Sequence, residues 1–490
     1  MAAYVLARSA ATPDKTALAV LGLTHAQNWS YAHLTSAVLG TATGLLRAGF
    51  TPGDRLLMRL GNTVDFPIAY LGAIAAGLVP VPTSAQLTAP EVATIADVIN
   101  PVATLHDPDI SGTHRAAKIL TLDALREMRD LPPAKWHMGD PDRPAYIIFT
   151  SGTSGTPRAV VHAHRAIWAR RMMHRGWYDL RNTDRLLHAG AFNWTYTLGT
   201  GLMDPWSVGA TSLIAEPGLE PHHIPVLLNR YDASLFAAAP GVFRKILGAS
   251  APLDLPRLRH AFSAGEKLSE DLRSKWRDAT GTGIYEAYGM SECSTFISAS
   301  PDCPARAGHL GRPQPGRHVA IIGDHGPVRH GDEGIIAVHR DDPGLMLGYL
   351  NAPDDTAARM RGDWFLTGDH GTMDSAGNIT FLGRRDDMMN AGGYRVSPLE
   401  VEAVLATHPG ITQCAVTDIE VKHDTRLIMA FYTGAPDISQ DALRAFAAAR
   451  LARYKCPRNF YHVETLPTGP NGKLLRRELR PIYEALNGHA

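Results

Sequence analysis

The sequence lacks an excess of one charge and a framework of paired cysteines. Its 490 residues include 48 Lys and Arg against 48 Asp and Glu. A nucleic-acid backbone is held by a broad basic face, so this balance argues against a nucleic-acid partner. The chain contains the cysteines Cys293, Cys303, Cys414 and Cys456. None of them forms a CxxC pair, so we predict no zinc or redox framework and a reducing, cytoplasmic location.

Long uninterrupted apolar runs are also missing. The most apolar stretch, residues 68–82, is broken by Gly72, Gly77 and Pro80. It is too short for a membrane span and predicts a buried helix followed by a strand. The N-terminus has one early arginine and no apolar core before a cleavage site, so we expect no secretory signal. With 45% hydrophobic and 20% charged residues, the composition is typical of a globular protein with sizeable cores.

Short apolar runs alternate with helical patterns along most of the chain, as in residues 233–236 followed by 241–247. This alternation predicts an α/β fold with mainly parallel sheets. From about residue 319 the pattern changes to short strands separated by turns, at 319–322, 334–338 and 378–381. We therefore predict a large N-terminal domain of doubly wound mixed sheets plus a small β-barrel.

A second α/β pattern begins after a short polar stretch at 383–387. Ser397, Pro398 and Glu400 have the spacing of a helix start, with the serine at the N-cap. Strands are predicted near 413–417 and 427–432, and a helix over 441–453. We place the domain boundary near Asp386, which gives an N-terminal domain of residues 1–385 and a small α+β C-terminal domain of residues 386–490.

The strongest local motif is TSGTSGTPR at 150–158, directly after the predicted strand 146–149. Backbone N–H groups and hydroxyls of such a loop suit phosphate oxygens. No Lys-Ser/Thr pair follows at the spacing of a P-loop ATPase. The alternative is a flexible surface turn, which the preceding strand and a helix expected after the loop disfavour.

The segment YEAYGMSE at 285–292 is the second motif. Tyr288 offers a flat face for a purine. Ser291 and Glu292 offer the oxygen ligands that Mg²⁺ prefers. Taken alone, a Tyr-Gly turn is more often structural.

Two further motifs are weak in isolation. In TGD at 367–369, Asp369 suits the two hydroxyls of a ribose, and Arg384 suits a phosphate. An aspartate in a β-turn is the more frequent explanation. In GPNGK at 469–473, turn residues present Lys473 on an exposed tip, where a lone lysine is usually only solvated.

In this order and at these separations, the motifs resemble the AMP-forming adenylate-forming (ANL) superfamily, which includes acyl-CoA synthetases, peptide-synthetase adenylation domains and luciferases. TSGTSGTPR resembles its phosphate loop, EAYGMSE its adenine and Mg²⁺ motif, TGD its ribose motif, GRRDDMMNAGGYR its hinge and PNGK its catalytic-lysine loop. The resemblance covers nearly the whole chain and is nearest to the benzoate and medium-chain acyl-CoA ligase branch.

The resemblance implies roles for particular residues. Lys473 and Glu292 would be catalytic, with Glu292 also the Mg²⁺ ligand. The nucleotide would be bound by Thr150, Ser151, Gly152, Thr153, Ser154, Gly155, Arg158, Ala264, Gly265, Glu266, Glu286, Ala287, Tyr288, Gly289, Ser291, Asp369 and Arg384. The acyl pocket would be lined by Trp194, Tyr196 and Met290. The CoA channel would be lined by Gly392, Gly393, Tyr394 and Arg395, and Asp386 would be the hinge of a mobile C-terminal domain.

Two departures from the superfamily pattern stand out. Pro157-Arg158-Ala159 replaces the usual Pro-Lys-Gly at the end of the phosphate loop, so the contact to pyrophosphate is expected to differ. Asn471 precedes Gly472 and Lys473 where serine is usual, but the lysine itself is present.

The implied function is an ATP-dependent carboxylic acid–CoA ligase that requires ATP, Mg²⁺ and coenzyme A. The resemblance to the benzoate and medium-chain branch implies an aromatic or small-to-medium apolar acid. Residues 191–199 contain no basic residue that would pair with a second carboxylate on the substrate. One alternative is a stand-alone adenylation enzyme that loads a carrier protein. Another is a nucleotide-binding regulatory protein without turnover, suggested by Arg158 and Ala159. A homodimer is left open.

Two histidine pairs were weighed as metal ligands. His162 and His164 follow the phosphate loop, and we interpret them as ordinary helix-start histidines in preference to a metal pair. His222 and His223 have no partner motif and are interpreted as surface residues.

Overall fold

The computed structural model describes residues 1–110, 112, 118–150, 158–248, 253–265, 267–384, 389–391, 394–422, 425–451, 455–469 and 474–487. For residues 384, 390, 391, 394, 395, 422 and 425 it describes the backbone alone. The chain divides into two compact units, one of Met1–Val319 with Val338–Phe365 and one of Ala320–Ala337 with Leu366–Ala490. Each unit has a buried apolar core of its own.

The α-helices are α1 Ala2–Val5, α2 Tyr31–Arg47, α3 Asp65–Ala75, α4 Ala89–Ile99, α5 Leu122–Met128, α6 Ala166–Ala169, α7 Arg171–Met173, α8 Asp204–Val208, α9 Ile224–Arg230, α10 Pro240–Gly248, α11 Glu270–Thr280, α12 Pro353–Ala358, α13 Pro398–Leu405, α14 Gln440–Ala448 and α15 Leu479–Asn487. Among the described residues, π-helical segments lie at His174–Tyr178 and Thr197–Met203, and 3₁₀ turns lie at Pro221–His223 and Arg476–Glu478.

The strands are β1 Thr16–Leu21, β2 Ala26–Ser30, β3 Arg55–Arg59, β4 Val79–Pro82, β5 Ala103–His106, β6 Lys118–Thr121, β7 Pro144–Thr150, β8 Arg158–Ala163, β9 Arg185–Ala189, β10 Thr211–Ala215, β11 Leu235–Ala238, β12 His260–Ala264, β13 Ile284–Met290, β14 Ser294–Ser298, β15 Arg312–Pro313, β16 Val319–Gly323, β17 Gly326–Pro327, β18 Gly334–His339, β19 Gly348–Tyr349, β20 Met360–Arg361, β21 Trp364–Met373, β22 Ile379–Arg384, β23 Met389–Ala391, β24 Tyr394–Val396, β25 Ile411–Lys422, β26 Thr425–Gly434 and β27 Asn459–His462.

The central sheet of the first unit has the strand order β15-β14-β13-β12-β11-β9-β10-β1-β2. The strands from β13 to β1 in this order run parallel, and antiparallel strands close both edges. Both faces are buried: Leu187 and Phe236 belong to one apolar cluster, while Leu186 and Leu235 belong to another. Such burial explains why these strands are continuous apolar runs in the sequence.

The strand order of the central sheet reverses at β9, because β10 lies on one side of β9 and β11 lies on the other. In open α/β sheets, ligands bind outside the carboxyl ends of the strands at such a reversal. The carboxyl end of β9 is therefore the place in this sheet where a ligand is expected.

A smaller antiparallel sheet of the first unit has the order β19-β8-β7. The TSGTSGTPR segment joins β7 directly to the strand β8, and the helix expected after the loop begins beyond that strand, with α6 at Ala166–Ala169 and α7 at Arg171–Met173. The run of apolar residues at 159–161 is short enough for either element, and its burial on both sides favours the strand.

A parallel sheet, β4-β3-β5-β6, completes the sheets of the first unit. The apolar stretch 68–82 forms the end of α3 followed by β4, as predicted. Every residue of α3 is buried, which is typical of a helix apolar on all sides. At its start, the Asp65 carboxylate is paired with Arg126 and Arg129.

The second unit contains most of a sheet with the order β17-β16-β18-β21-β20, in which β22 also pairs with β21. The predicted strands at 319–322, 334–338 and 378–381 appear here as β16, β18 and β22. The sheet β25-β26-β27 follows, built on a long antiparallel pair. Alternate residues of β26 enter different cores: Ile428 and Ala430 pack in one, Met429 and Phe431 in the other.

Helix α13 begins where the sequence predicts, but its start is built differently. The Ser397 hydroxyl donates to the Leu382 carbonyl instead of capping the helix, and Glu400 pairs with Lys455. The helix predicted over 441–453 ends at Ala448.

Candidate active site

The base of the glycine- and hydroxyl-rich loop is fixed by the β7–β8 ladder. Thr150, the last residue of β7, is paired with Arg158, the first residue of β8. The predicted phosphate ligands between them are Ser151, Gly152, Thr153, Ser154 and Gly155, and they lie outside the described residues.

The Arg158 side chain has partners of its own. Its Nε lies 3.2 Å from Asp355 Oδ2, and its guanidinium carbon lies 5.3 Å from the centroid of the Tyr349 ring. Both contacts are partly exposed, so each contributes less than about 1 kcal/mol. The planar guanidinium stacks in a way that the usual lysine does not.

Tyr349, in β19, links this loop base to Glu292. Its hydroxyl donates a hydrogen bond to Glu292 Oε1 at 2.7 Å. Glu292 is buried, and its carbonyl also accepts from Met346 N at 2.8 Å. Burial, and then the Glu292 charge, raise the pKa of Tyr349, so its phenol keeps the proton it donates. The structure thus brings Arg158 and Glu292 together through one tyrosine.

His162 holds the residue before Glu292. Its Nε2 lies 2.7 Å from the Ser291 carbonyl oxygen, and its ring stacks on Tyr146 at 4.8 Å. Burial lowers the pKa of His162 to about 4, so the neutral ring donates its Nε2–H to that carbonyl.

The interpretation as a helix-start residue is wrong for His162, whereas His164 lies just before Arg165, the N-cap of α6. His162 lies inside β8, and His164 directly follows that strand. Among the described residues, no group of three His, Cys, Asp or Glu side chains is placed to hold a metal ion. The sequence signal for His162 was a polar residue inside an apolar strand, which predicts a buried partner.

β13 carries the predicted adenine segment, and Glu286 anchors it. The Glu286 carboxylate accepts from Leu268 N at 3.0 Å and from Arg273 at 2.9 Å. Burial raises the pKa of Glu286 to about 7, although Arg273 opposes this shift. The carboxylate therefore holds the backbone just after Glu266, which is itself outside the described residues.

Gly289 allows β13 and β14 to approach closely. A Cβ atom at Gly289 would lie 2.3 Å from the Ser294 carbonyl oxygen, so only glycine fits without movement. The ladder is irregular at this point, between Tyr288 and Gly289. Tyr288 is half-buried and packs edge-on against Phe296. Met290, at the end of the strand, is paired with Ser294.

A buried ion pair that the sequence analysis missed supports this hairpin. Arg170 Nη2 lies 2.6 Å from Asp204 Oδ2, and Tyr178 donates to the same oxygen at 2.9 Å. Arg170 Nη1 also donates to Ser294 Oγ at 2.6 Å. Ser294 has a φ of 59°, a strained value for a residue with a side chain, and this hydrogen bond helps to hold it there.

Two of the residues predicted for the acyl pocket, Trp194 and Tyr196, meet near the carboxyl ends of β9 and β12. Trp194 packs edge-on against Tyr196, with ring centroids 5.2 Å apart. A Cβ atom at Gly265 would lie 2.6 Å from Trp194 Cζ2, so Gly265 lets the indole approach the strand end. Ala264, the residue before it, is paired with Ala287.

Asn62 fixes the loop that carries Trp194. Its Nδ2 donates to the Gly190 carbonyl at 2.8 Å, and its Oδ1 accepts from Phe192 N at 2.7 Å. The Asn62 amide therefore pairs with the carbonyl of Gly190 and with the N–H of Phe192, two residues further along the loop. No sequence motif marks Asn62 as a residue of the site.

In the second unit, Asp369 in β21 is paired with Arg384 in β22. Gly368, just before Asp369, has a φ of 84°, and Thr367 Oγ1 accepts from the Asp369 amide at 3.1 Å. The Asp369 side chain is buried. The predicted ribose and phosphate ligands thus share one ladder.

Other predicted residues are described only in part. Asp386, Gly392, Gly393 and Lys473 lie outside the described residues. The backbone of Tyr394 and Arg395 belongs to β24, which pairs with β23.

Two family models match the chain. The model of the AMP-binding enzyme matches residues 6–350, and that of the AMP-binding enzyme C-terminal domain matches residues 400–473. The chain belongs to the AMP-binding enzyme family. The two matches confirm the predicted superfamily, and they confirm that the protein is an enzyme.

Relatives of this AMP-binding enzyme are ligases that form acyl-CoA. It is 29% identical over 492 residues to the human mitochondrial acyl-coenzyme A synthetase ACSM3, covering 92% of this chain and 83% of the relative. It is 28% identical over 488 residues to a 3-hydroxybenzoate–CoA ligase of an Aromatoleum strain, covering 94% and 92%.

Solved structures confirm the predicted α/β fold. A benzoate CoA ligase from Burkholderia xenovorans matches with a TM-score of 0.85 at 26% identity, covering 98% of this chain and 99% of that one. ATP-bound MatB from Rhodopseudomonas palustris matches in fold with a TM-score of 0.90 at 24% identity, covering 99% and 100%. Within the described part of this AMP-binding enzyme, no helix has the length and apolarity to cross a membrane.

Proposed function

We propose that this AMP-binding enzyme is an ATP-dependent carboxylic acid–CoA ligase. The acid reacts with ATP to give acyl-AMP and pyrophosphate, and the acyl group then passes to the thiol of coenzyme A. The observation that carries the proposal is the link through Tyr349, which joins the base of the glycine- and hydroxyl-rich loop to the buried carboxylate of Glu292.

The donor set at Glu292 fits Mg²⁺. Tyr349 donates to Oε1 of Glu292, and the second carboxylate oxygen would hold the cation, since oxygen ligands are what Mg²⁺ prefers. When bound, Mg²⁺ supplies positive charge that offsets the negative charge of the phosphates. The chain's own contribution is orientation, since Tyr349 and His162 fix the carboxylate and the backbone beside it.

The chemistry needs such charge. A carboxylate oxygen of the acid attacks the α-phosphorus of ATP and forms a P–O bond, while the P–O bond to pyrophosphate breaks. Negative charge gathers on the α-phosphate between two anions. Removing one cationic contact at that point costs roughly 3 kcal/mol or more, about a hundredfold in rate. In the second step, the thiol sulfur attacks the acyl carbon, AMP leaves and the thiol proton is released.

We further propose the nucleotide contacts that the resemblance implies. Asp369 would take the ribose hydroxyls, with Arg384 near them, and their shared ladder supports this assignment. Tyr288 would face the adenine, framed by Ala264 and Gly265 at the end of the neighbouring strand.

The remaining roles concern the C-terminal domain, which we propose begins near Asp386. Lys473 would contact the carboxylate and the α-phosphate in the first step. A swing about Asp386 would remove Lys473 and open the channel at Gly393 for the second step, which is gating by a hinge.

For the acid, we propose an aromatic or small-to-medium apolar carboxylate. Aromatic side chains of Trp194 and Tyr196 beside the small residues Ala264 and Gly265 support an apolar pocket, with Met290 a further lining residue. The name of one relative, a 3-hydroxybenzoate–CoA ligase, is consistent with an aromatic acid.

The test is turnover with a panel of acids in the presence of ATP and Mg²⁺, followed by pyrophosphate release and thioester formation with CoA. We expect both products. Pyrophosphate without a CoA thioester would favour a carrier protein as acceptor. No pyrophosphate with any acid would favour a regulatory protein that holds a nucleotide.

Two variants separate the two steps. Lys473→Ala should abolish adenylation and leave thioester formation from supplied acyl-adenylate largely intact. Gly393→Leu should slow the thioester step alone, because a side chain would obstruct the channel. Equal loss of both half-reactions in either variant contradicts the role proposed for that residue.

We also propose a cytoplasmic location, which the unpaired state of all four cysteines supports. The homodimer stays a prediction, for which light scattering in solution is the measurement.

A further inference from the structure

At the carboxyl end of β9, polar side chains are buried without hydrogen-bond partners. His188 is 3% exposed and Thr197 is 0% exposed. Among the residues that the structure describes, both ring nitrogens of His188 and the hydroxyl of Thr197 have no partner. Leaving a buried polar group unpaired is costly, so such a pair needs an explanation.

The two side chains converge on one point beside Gly190. A Cβ atom at Gly190 would lie 2.3 Å from Thr197 Oγ1 and 3.2 Å from His188 Nδ1. The other edge of the His188 ring faces Gly201, where a Cβ atom would lie 3.4 Å from His188 Cδ2. We call His188, Gly190 and Thr197 the polar niche.

The polar niche lies against the predicted acyl pocket. The His188 ring is edge-on to Tyr196, with centroids 4.5 Å apart, and Tyr196 in turn packs against Trp194. His188 is paired in the sheet with Ala237, which shares an apolar cluster with Tyr196 and Ala264. Small alanine side chains therefore lie between the polar niche and the end of β12.

The location agrees with the topology of the central sheet. The niche follows β9, the strand at which the order of the sheet reverses, where ligands are expected. Thr197 also begins a π-helical segment, Thr197–Met203, and such segments occur frequently at functional sites. Burial lowers the pKa of His188 to about 3, so near neutral pH the ring offers one donor and one acceptor.

We propose that the polar niche selects carboxylic acids that carry a hydroxyl or amino group remote from the carboxylate. That group would exchange hydrogen bonds with His188 and Thr197, while the rest of the acid packs against the aromatic and alanine side chains. This inference rests on the proposed function and narrows its substrate class.

We expect the enzyme to prefer the hydroxyl- or amino-substituted acid strongly over the parent acid that lacks this group. A site built to pair a polar group discriminates strongly against the analogue that lacks it, because its own buried groups are then left unpaired. We expect kcat/KM for the preferred hydroxylated acid to exceed that of its parent by about 10- to 100-fold.

The experiment measures kcat/KM by pyrophosphate release for matched acids: benzoate against 3-hydroxybenzoate and 4-hydroxybenzoate, and hexanoate against 6-hydroxyhexanoate. Thr197→Val and His188→Leu should each lower the ratio of substituted to parent acid by about tenfold, because the substituted acid loses a hydrogen-bond partner and the parent acid no longer leaves a buried group unpaired. If His188→Leu does not fold, the nearly isosteric Thr197→Val still tests the proposal through the same ratio of kcat/KM values.

Ser212→Ala is the matched control. Ser212 lies in β10 of the same sheet, and its hydroxyl is likewise buried without a partner in the described part of the chain. Its replacement should leave the ratio unchanged. A fall in the ratio with Ser212→Ala would show that the ratio reports general destabilisation and would overturn the proposal.

Two further outcomes also overturn it. Wild-type enzyme that turns over both members of each pair equally would show that the niche holds only water, while the proposed ligase function stands. Equal loss for substituted and parent acids in Thr197→Val would show a structural role. If no acid releases pyrophosphate, the ligase function itself fails, and this inference fails with it.

Discussion

The hydroxyl of Tyr349 lies 2.7 Å from a carboxylate oxygen of Glu292, so a phenol in β19 orients the predicted magnesium ligand. Tyr349→Phe removes this hydrogen bond and keeps the ring that packs under Arg158. Losing such an orienting partner weakens metal binding, and we expect the Mg²⁺ concentration for half-maximal activity to rise about tenfold. The measurement is pyrophosphate release as a function of Mg²⁺ at saturating ATP and acid.

Tyr70→Phe provides the matched control for this first prediction. The Tyr70 hydroxyl is also buried, but it has no hydrogen-bond partner among the described residues. Its removal should leave the Mg²⁺ dependence unchanged. A similar Mg²⁺ dependence in Tyr349→Phe and wild type would contradict the orienting role.

Because the Asn62 amide holds the loop that carries Trp194, we expect its removal to raise KM for the acid and to leave KM for ATP unchanged. Asn62→Ala frees the loop between Gly190 and Phe192 that leads to Trp194, and we expect KM for the acid to rise about tenfold. Asn62→Asp should be worse, because it sets a carboxylate oxygen against the Gly190 carbonyl. Varying acid and ATP separately provides the measurement, and an equal rise of both KM values would argue against positioning of the acyl loop.

The buried pair of Arg170 and Asp204 predicts a large effect on stability. Burial alone would raise the pKa of Asp204, but Arg170 overrides burial and holds that pKa below its usual range. Arg170→Met leaves the Asp204 carboxylate buried without its arginine, so we expect the free energy of unfolding to fall by about 3–5 kcal/mol. Urea denaturation measures this loss.

The exposed pair of Arg340 and Asp363 is the comparison for that loss. Arg340→Met should change the free energy of unfolding by less than about 1 kcal/mol, because solvent screens exposed pairs. If Arg170→Met and Arg340→Met lowered the free energy of unfolding by similar amounts, the burial of the Arg170–Asp204 pair would not explain the loss of stability.

Buried histidines predict acid sensitivity. Burial lowers the pKa of His162 and His260 to about 4, and of His164 and His188 to about 3. In the unfolded chain a histidine titrates near 6.5, so the unfolded state binds more protons as the pH falls below that value. Stability is therefore retained above pH 6.5 and lost from pH 6.5 downward toward pH 4.

The size of this loss is measurable before most carboxylates titrate. A histidine that stays neutral in the fold costs up to about 2 kcal/mol of stability at pH 5 relative to pH 7. Thermal unfolding followed between pH 7 and pH 5 should show the midpoint falling steadily, and a flat midpoint over this range would refute the prediction. His260→Gln should make the fall shallower.

Local patterns predicted much of the fold. Gly77 and Pro80 in the apolar stretch 68–82 correctly indicated that a helix ends there and a strand follows. The change of pattern near Val319 correctly indicated the second set of strands. These features depend on neighbours in the sequence, which local patterns report directly.

The rest depends on partners far away in the sequence. The strand β8 was not predicted, because its pairing with β7 and β19 is not visible in its own few residues. In the site, the motifs identified Glu292 but not Tyr349, which lies 57 residues later, nor His162 or Asn62. A single tyrosine or asparagine has no local pattern that marks it as a partner.

The β7–β8 ladder has a practical consequence. Thr150 and Arg158 are paired across the β7–β8 ladder, so the seven residues between them connect two strand ends whose positions are fixed by that pairing. A seven-residue segment transplanted from another synthetase would meet the same two anchor points. The chemistry of the transplanted segment could then be compared among donors on an unchanged scaffold.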